Sequence, residues 1–206
     1  MSRVEHPLAA VAYAVAICGA LAAPAAGQGV PDDPDWPCHQ RKVPSLTPAA
    51  VWTGPPLDDA SGWRDDKKVV DLVRELSQRR LPIEQAEAEV RTFAEGLDPA
   101  ARKDGLTLLF AGLFHTMNGE RGKIIAGIER YARHQKALAE QIREEAAKLD
   151  QADTNADTTD AREKLRWDQR IFDERRSSLS YICDAPRLVE QRLFALGRAI
   201  GEAMPD

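Results

Sequence analysis

Residues Ile124 to Leu149 read IIAGIERYARHQKALAEQIREEAAKL, and their spacing decides the fold. Ile124, Ile128, Tyr131, Gln135, Leu138, Ile142, Glu145 and Leu149 recur at alternating steps of four and three, a heptad seam with two polar members. The spacing predicts one long amphipathic helix. After a Thr/Asp-rich connection, Leu165, Asp168, Phe172, Arg175, Leu179 and Ile182 repeat the same rhythm. Two matching segments joined by a short polar stretch predict an antiparallel, coiled-coil-like helical hairpin over about residues 119–183. Folding it about residue 155 sets Leu138 against Phe172, Gln135 against Arg175 and Ile128 against Ile182.

Outward from the hairpin, the rest of the chain is also helical in pattern, and the predicted fold class is all-α. Asp65 or Asp66 caps a helix whose Val69, Leu72, Val73 and Leu76 share a face. Pro82 ends it, and Ile83, Ala86, Val90, Phe93 and Leu97 stripe the next. Asp98-Pro99 is a start signal for a third helix, through Leu106, Phe110 and Leu113, that forms the buried centre. A last helix is expected from Asp184 and Pro186 through Ile200. From Glu120 to Arg176, 26 of 57 residues are charged, so the hairpin carries a large solvated surface.

The N-terminal side differs in kind. Leu8 to Ala26 carry no charge, follow Arg3, and end in small residues, the pattern of a secretory signal peptide over 1–27 with cleavage near Ala25-Gln28. Retention as an anchor is the alternative, and Pro24 within Ala-rich sequence disfavours it. The expected location is therefore the periplasm or the exterior of a bacterial cell, with no stable membrane insertion after cleavage. Cys18 leaves with the signal, and the two remaining cysteines, Cys38 and Cys183, are expected to pair in an oxidising compartment.

Residues 28–63 form a proline-rich arm ahead of a single helical domain over 64–206. Seven of the thirteen prolines lie between Val30 and Leu57, which excludes a helix or a central strand there. Trp36, Trp52 and Trp63 belong to or border this arm. Either it wraps the domain and buries these rings, the favoured reading, or the three rings form an aromatic surface for a partner.

No catalytic residue is predicted. G-x-S-x-G and P-loop patterns are missing from the sequence, and His39, His115 and His134 have no zinc-ligand spacing. Asp153, Asn155 and Asp157 imitate the opening of an EF-hand loop. Thr158 stands at the sixth position, where glycine is needed, and Lys164 at the twelfth, where a bidentate glutamate is needed. The stretch instead reads as a hairpin tip, with Asp160 and Glu163 as a capping box. A net charge of −5 argues against nucleic acid as a partner. The arginines between Arg162 and Arg176 are interleaved with acids and read as a salt-bridged, solvated face.

The segment Trp36-Pro37-Cys38-His39-Gln40-Arg41-Lys42-Val43-Pro44, with Val51 to Pro56 after it, resembles exported bacterial proteins of uncharacterised function. Ile124 to Gln135 and Trp167 to Cys183 are similar to the same group, which brings no activity and no site residue. The expected function is that of a non-enzymatic interaction or accessory protein that binds a protein partner or itself, without a cofactor. A small-ligand or calcium-binding helical module is the second reading, and an enzyme of an unrecognised class the third.

Overall fold

The computed structural model describes residues 33–152 and 157–205, and these build four α-helices with no strand among them. They are α1 (Lys67–Leu76), α2 (Ile83–Glu95), α3 (Arg102–Asp150) and α4 (Thr159–Glu202). The signal-peptide segment and its cleavage point lie outside the described residues.

Helix α1 begins as its sequence dictates: the Asp66 carboxylate accepts from the Lys68 and Val69 amides at 2.8 and 3.2 Å. Val69, Val73 and Leu76 face inward, as do Ala86, Val90 and Ala94 of α2. Helix α1 packs on the first half of α3, where Leu106, Leu109, Phe110 and Leu113 are wholly buried, and α2 packs chiefly on α4, whose Val189, Leu193, Leu196 and Ile200 join the same core. Arg192 ties the layers together. Its guanidinium donates to the carbonyls of Leu76 and Leu81, both at 2.8 Å, and so holds the last turn of α1. Burial pulls its pKa below that of an ordinary arginine.

Beyond this core, α3 and α4 continue together as a two-helix shaft. At 1.5 Å per residue the 49 residues of α3 span about 74 Å. Ile125, Ile128 and Ala132 are still buried; past them no residue of α3 is, because two helices alone have only one face each to cover. Tyr131 donates to the Arg175 carbonyl at 2.7 Å and Gln135 to that of Phe172 at 3.4 Å. The antiparallel hairpin is thus formed close to the expected register. Gln135 meets a backbone carbonyl of α4 rather than Arg175, whose side chain is exposed.

Three expectations need correction. Helix α3 starts at Arg102, because Asp98 folds a separate turn, accepting from the Ala100 amide at 2.9 Å. Residues 184–186 do not begin a new helix: α4 runs through a buried Pro186. Proline removes one helical donor, yet its ring packs against the strap and α3, and Gln40 donates to the neighbouring Cys183 carbonyl. The capping box does not form either. Asp160 lies inside the first turn, and Asp157 accepts from the Thr159 amide at 3.1 Å instead. Val51, Trp52, Ala60 and Trp63 of the arm belong to the hydrophobic core.

Candidate functional site

The arm is a strap laid along the shaft, held by a descending series of polar contacts. At its upper end the Asp35 carboxylate meets Arg133 at 3.1 Å and Lys136 at 3.2 Å, and Lys136 also donates to the Pro34 carbonyl. Next, Lys42 bridges Asp33 at 2.5 Å and Glu129 of α3. Lower still, Arg121 reaches the Val43 carbonyl at 2.5 Å, and the Asn118 side chain clamps Leu46, accepting from its amide at 3.0 Å. The partners on α3 step from 136 down to 118 as the arm steps from 34 up to 46, so the strap runs antiparallel to α3 for about 27 Å. Asn118, an unusual residue for mid-helix, is there to receive the strap.

The disulfide lies within this run. Cys38 and Cys183 are bonded, with Cα atoms 5.6 Å apart and 145 positions between them in sequence. The strap is therefore fastened covalently to α4 and by charge to α3. Lys42 beside Asp33, and Arg133 and Lys136 beside Asp35, hold both carboxyls below the usual aspartate range. Asp33 and Glu129 raise the Lys42 ammonium above the usual lysine value. These groups are solvated, so each pair adds little energy alone, and the order they impose comes from their number and alignment.

Arg121 is the exception in burial, at 3% exposed, with Glu190 at 2.5 Å as its counter-ion. Removal of Glu190 would leave the buried Arg121 guanidinium without its counter-ion. With Trp36, Gln40 and Val43 it lines a small cavity of about 140 Å³ under the strap. The Glu190 carboxylate and the Val43 carbonyl already take up Arg121, so the cavity presents no free cation from that residue.

The three arm tryptophans part company. Trp52 (7% exposed) stacks on Phe110 with ring centroids 4.1 Å apart, and its indole N–H donates to the Pro55 carbonyl at 2.8 Å. Trp63 (8% exposed) packs near His115 and beneath Arg64. Neither can serve as a partner surface, which corrects that alternative: both rings are part of the core. Trp36 is half-buried and donates to the Gln40 carbonyl at 2.7 Å, which shapes the strap around Cys38.

Asp153 and Asn155 lie outside the described residues. Of the calcium candidates only Asp157 can be placed, and it is occupied in capping α4. Lys164, at the position a calcium loop gives to glutamate, is paired with Glu145 at 2.5 Å and Asp168 at 2.7 Å. Among the described residues no three His, Cys, Asp or Glu side chains converge as metal ligands. His39 and His134 are exposed, and His115 faces Arg64 at 2.6 Å. The larger hollows are open grooves, such as one of about 500 Å³ between Val51–Gly54 and the Phe194–Glu202 end of α4.

What sequence reading missed is a row on the outer flank of α4, away from both the seam and the strap. Trp167, Tyr181 and Leu188 are 57%, 80% and 49% exposed, and they fall on one heptad line with Glu174. The signal was present as steps of seven. It was hidden because the seam at Leu165, Phe172 and Leu179 accounts for the same stretch of chain. No helix among the described residues is long and apolar enough to cross a membrane. No family model, curated protein or solved structure matches this chain.

Proposed function

We propose that this chain is an exported, non-enzymatic interaction protein of the bacterial cell envelope, related to the uncharacterised exported proteins its arm resembles, in which the core anchors a rigid helical shaft. The observation that carries the reading is the exposed row of Trp167, Tyr181 and Leu188 on α4. Large apolar side chains left in water at a regular spacing, on an otherwise charged helix, mark a contact surface. The Cys38–Cys183 bond supports export, because such a bond persists in an oxidising compartment.

Cell fractionation with non-reducing peptide mapping tests the location: the chain is expected in the periplasmic fraction with Cys38 and Cys183 linked. In-cell cross-linking followed by capture tests the role, with the Trp167→Ala/Tyr181→Ala variant as the control bait. A cross-linked product formed by the parent and missing from the variant is the expected result. No product with any protein or with itself, or equal recovery by both baits, would remove the reading.

A further inference from the structure

We infer that the occupant of this α4 flank is the same flank of a second copy of the chain, packed antiparallel about a two-fold axis near Ser177 and Ser178. The inference rests on the interaction-protein reading and supplies its partner. An isologous two-fold contact requires a surface that maps onto itself when the chain direction is reversed. Antiparallel pairing sets residue i against residue j with i + j constant, and centring the pair on the heptad line fixes that constant. Trp167 then faces Leu188 of the second copy, and Glu174 faces Tyr181 of the second copy, both pairs summing to 355.

The flanks of the line agree with the same axis. On one side Arg170 lies level with Asp184 of the second copy, so opposite charges meet twice. On the other, half-buried Ile171 lies level with half-buried Ala185, a large side chain against a small one. At the axis itself the residues are serines, whose small side chains let two helices approach closely. Their hydroxyls are already satisfied, Ser177 by the Asp173 carbonyl at 3.0 Å and Ser178 by the Glu174 carbonyl at 3.1 Å. Burying them therefore strands no donor. Glu174, the one acid on the line, receives a phenolic O–H from Tyr181 across the contact.

The strap leaves this line uncovered. The strap is fastened at Cys183 and lies over Pro186, Arg187 and Glu190, around the helix from the heptad line. From Trp167 to Leu188 the contact is about 32 Å long and one helix, about 10 Å, wide. That footprint is about 320 Å² on each copy, or roughly 640 Å² in total, the size of a weak, transient contact, so association is sought at micromolar and higher concentrations.

The test uses the mature, oxidised chain. Sedimentation equilibrium from about 5 to about 500 µM is expected to show a monomer–dimer equilibrium, weakened tenfold or more by Tyr181→Glu and unchanged by Arg41→Glu near the strap. Tyr181 and Arg41 are both exposed, so each variant should retain the helical circular dichroism of the parent. Mixing Trp167→Cys with Leu188→Cys protein is expected to give a cross-linked dimer under mild oxidation, with little from either variant alone. A monomer throughout the range, a dimer indifferent to Tyr181→Glu, or cross-linking of Trp167→Cys to itself would overturn the inference. A monomer that still captures a different protein through Trp167 and Tyr181 would overturn self-pairing alone and leave the interaction reading in place.

Discussion

Replacing Trp52 by alanine tests whether the proline-rich arm is structural. The ring is almost wholly buried, lies flat on Phe110 with an interplanar angle of 8°, and makes its one possible hydrogen bond to Pro55. Burial of an indole removes roughly 200 Å² from water, and at about 25 cal/mol per Å² that is about 5 kcal/mol. The stack adds about 1 kcal/mol, and the extended-chain reference overstates burial by a few tenths of the total. The vacated space borders the open groove beside Phe194, so water can enter and the cavity need not stay empty. These corrections place the loss at about 3–4 kcal/mol, within the range seen for buried tryptophans. Trp36→Ala supplies the internal comparison. That ring is half-buried and bonds only within the strap, so it should cost below about 1 kcal/mol. Urea unfolding followed by helix circular dichroism reads both. Equal midpoints for the two variants would refute the claim that the arm completes the core.

Three further outcomes follow from the strap and the hairpin tip. Changing Cys38 and Cys183 together to serine should lower the urea midpoint markedly, since closing a loop of 145 positions is worth up to about 5 kcal/mol in the chain-entropy model. The helices should persist without denaturant, and an unaltered midpoint would show the bond to be incidental. For pH, the Asp33 and Asp35 carboxyls are held below 3.8, so their contribution is complete above that value and is lost as pH falls through the depressed folded values. Lys42 is raised, so its contribution is lost only as pH climbs past 10.5. The Trp36 indole N–H resonance should accordingly stay constant from about pH 5 to about pH 9 and move below about pH 4; a transition near neutrality would assign docking to other groups. Calcium up to about 1 mM should produce no saturable heat in calorimetry, because Asp157 caps α4 and Lys164 occupies the place of the closing glutamate. A defined isotherm would restore the metal-binding alternative.

The hairpin and the all-α class were legible because each rests on a rule local in sequence, a 3–4 apolar spacing and a missing strand pattern; the cysteine pair was legible by count, since the expected loss of Cys18 leaves only two. Asp98-Pro99, Asp184-Pro186 and Asp160 with Glu163 carry local start and stop signals; at the first and last a different local turn takes the carboxylate hydrogen bond, and at Pro186 tertiary packing prevails. A proline in an exposed helix would end it, yet here the ring is buried against the strap and α3, and one lost donor is outweighed by the packing on either side. Arg121 and Arg192 were invisible for a related reason. A charged residue reads as solvated until its counter-ion or its carbonyl acceptors, 69 to 116 positions away, are folded against it.

The same two helices serve both the core and the shaft, and this links stability to any contact made far from the core. Because α3 and α4 are continuous, neither end can rotate independently, and a partner gripping α4 near Trp167 holds a lever rooted in Leu193, Leu196 and Ile200. The strap closes the remaining freedom. It crosses the junction where the four-helix core gives way to two helices, the point at which buried side chains are running out, and supplies there Cys38 of the disulfide, the Val43 carbonyl that Arg121 reaches and the Leu46 amide that Asn118 clamps. Polar and covalent ties thus replace apolar burial where burial fails, and they lie on one flank of the shaft. The opposite flank is left without ties of its own. The fastenings thus lie on one side of the shaft and the exposed Trp167 and Tyr181 on the other, and the proposed contact uses the second.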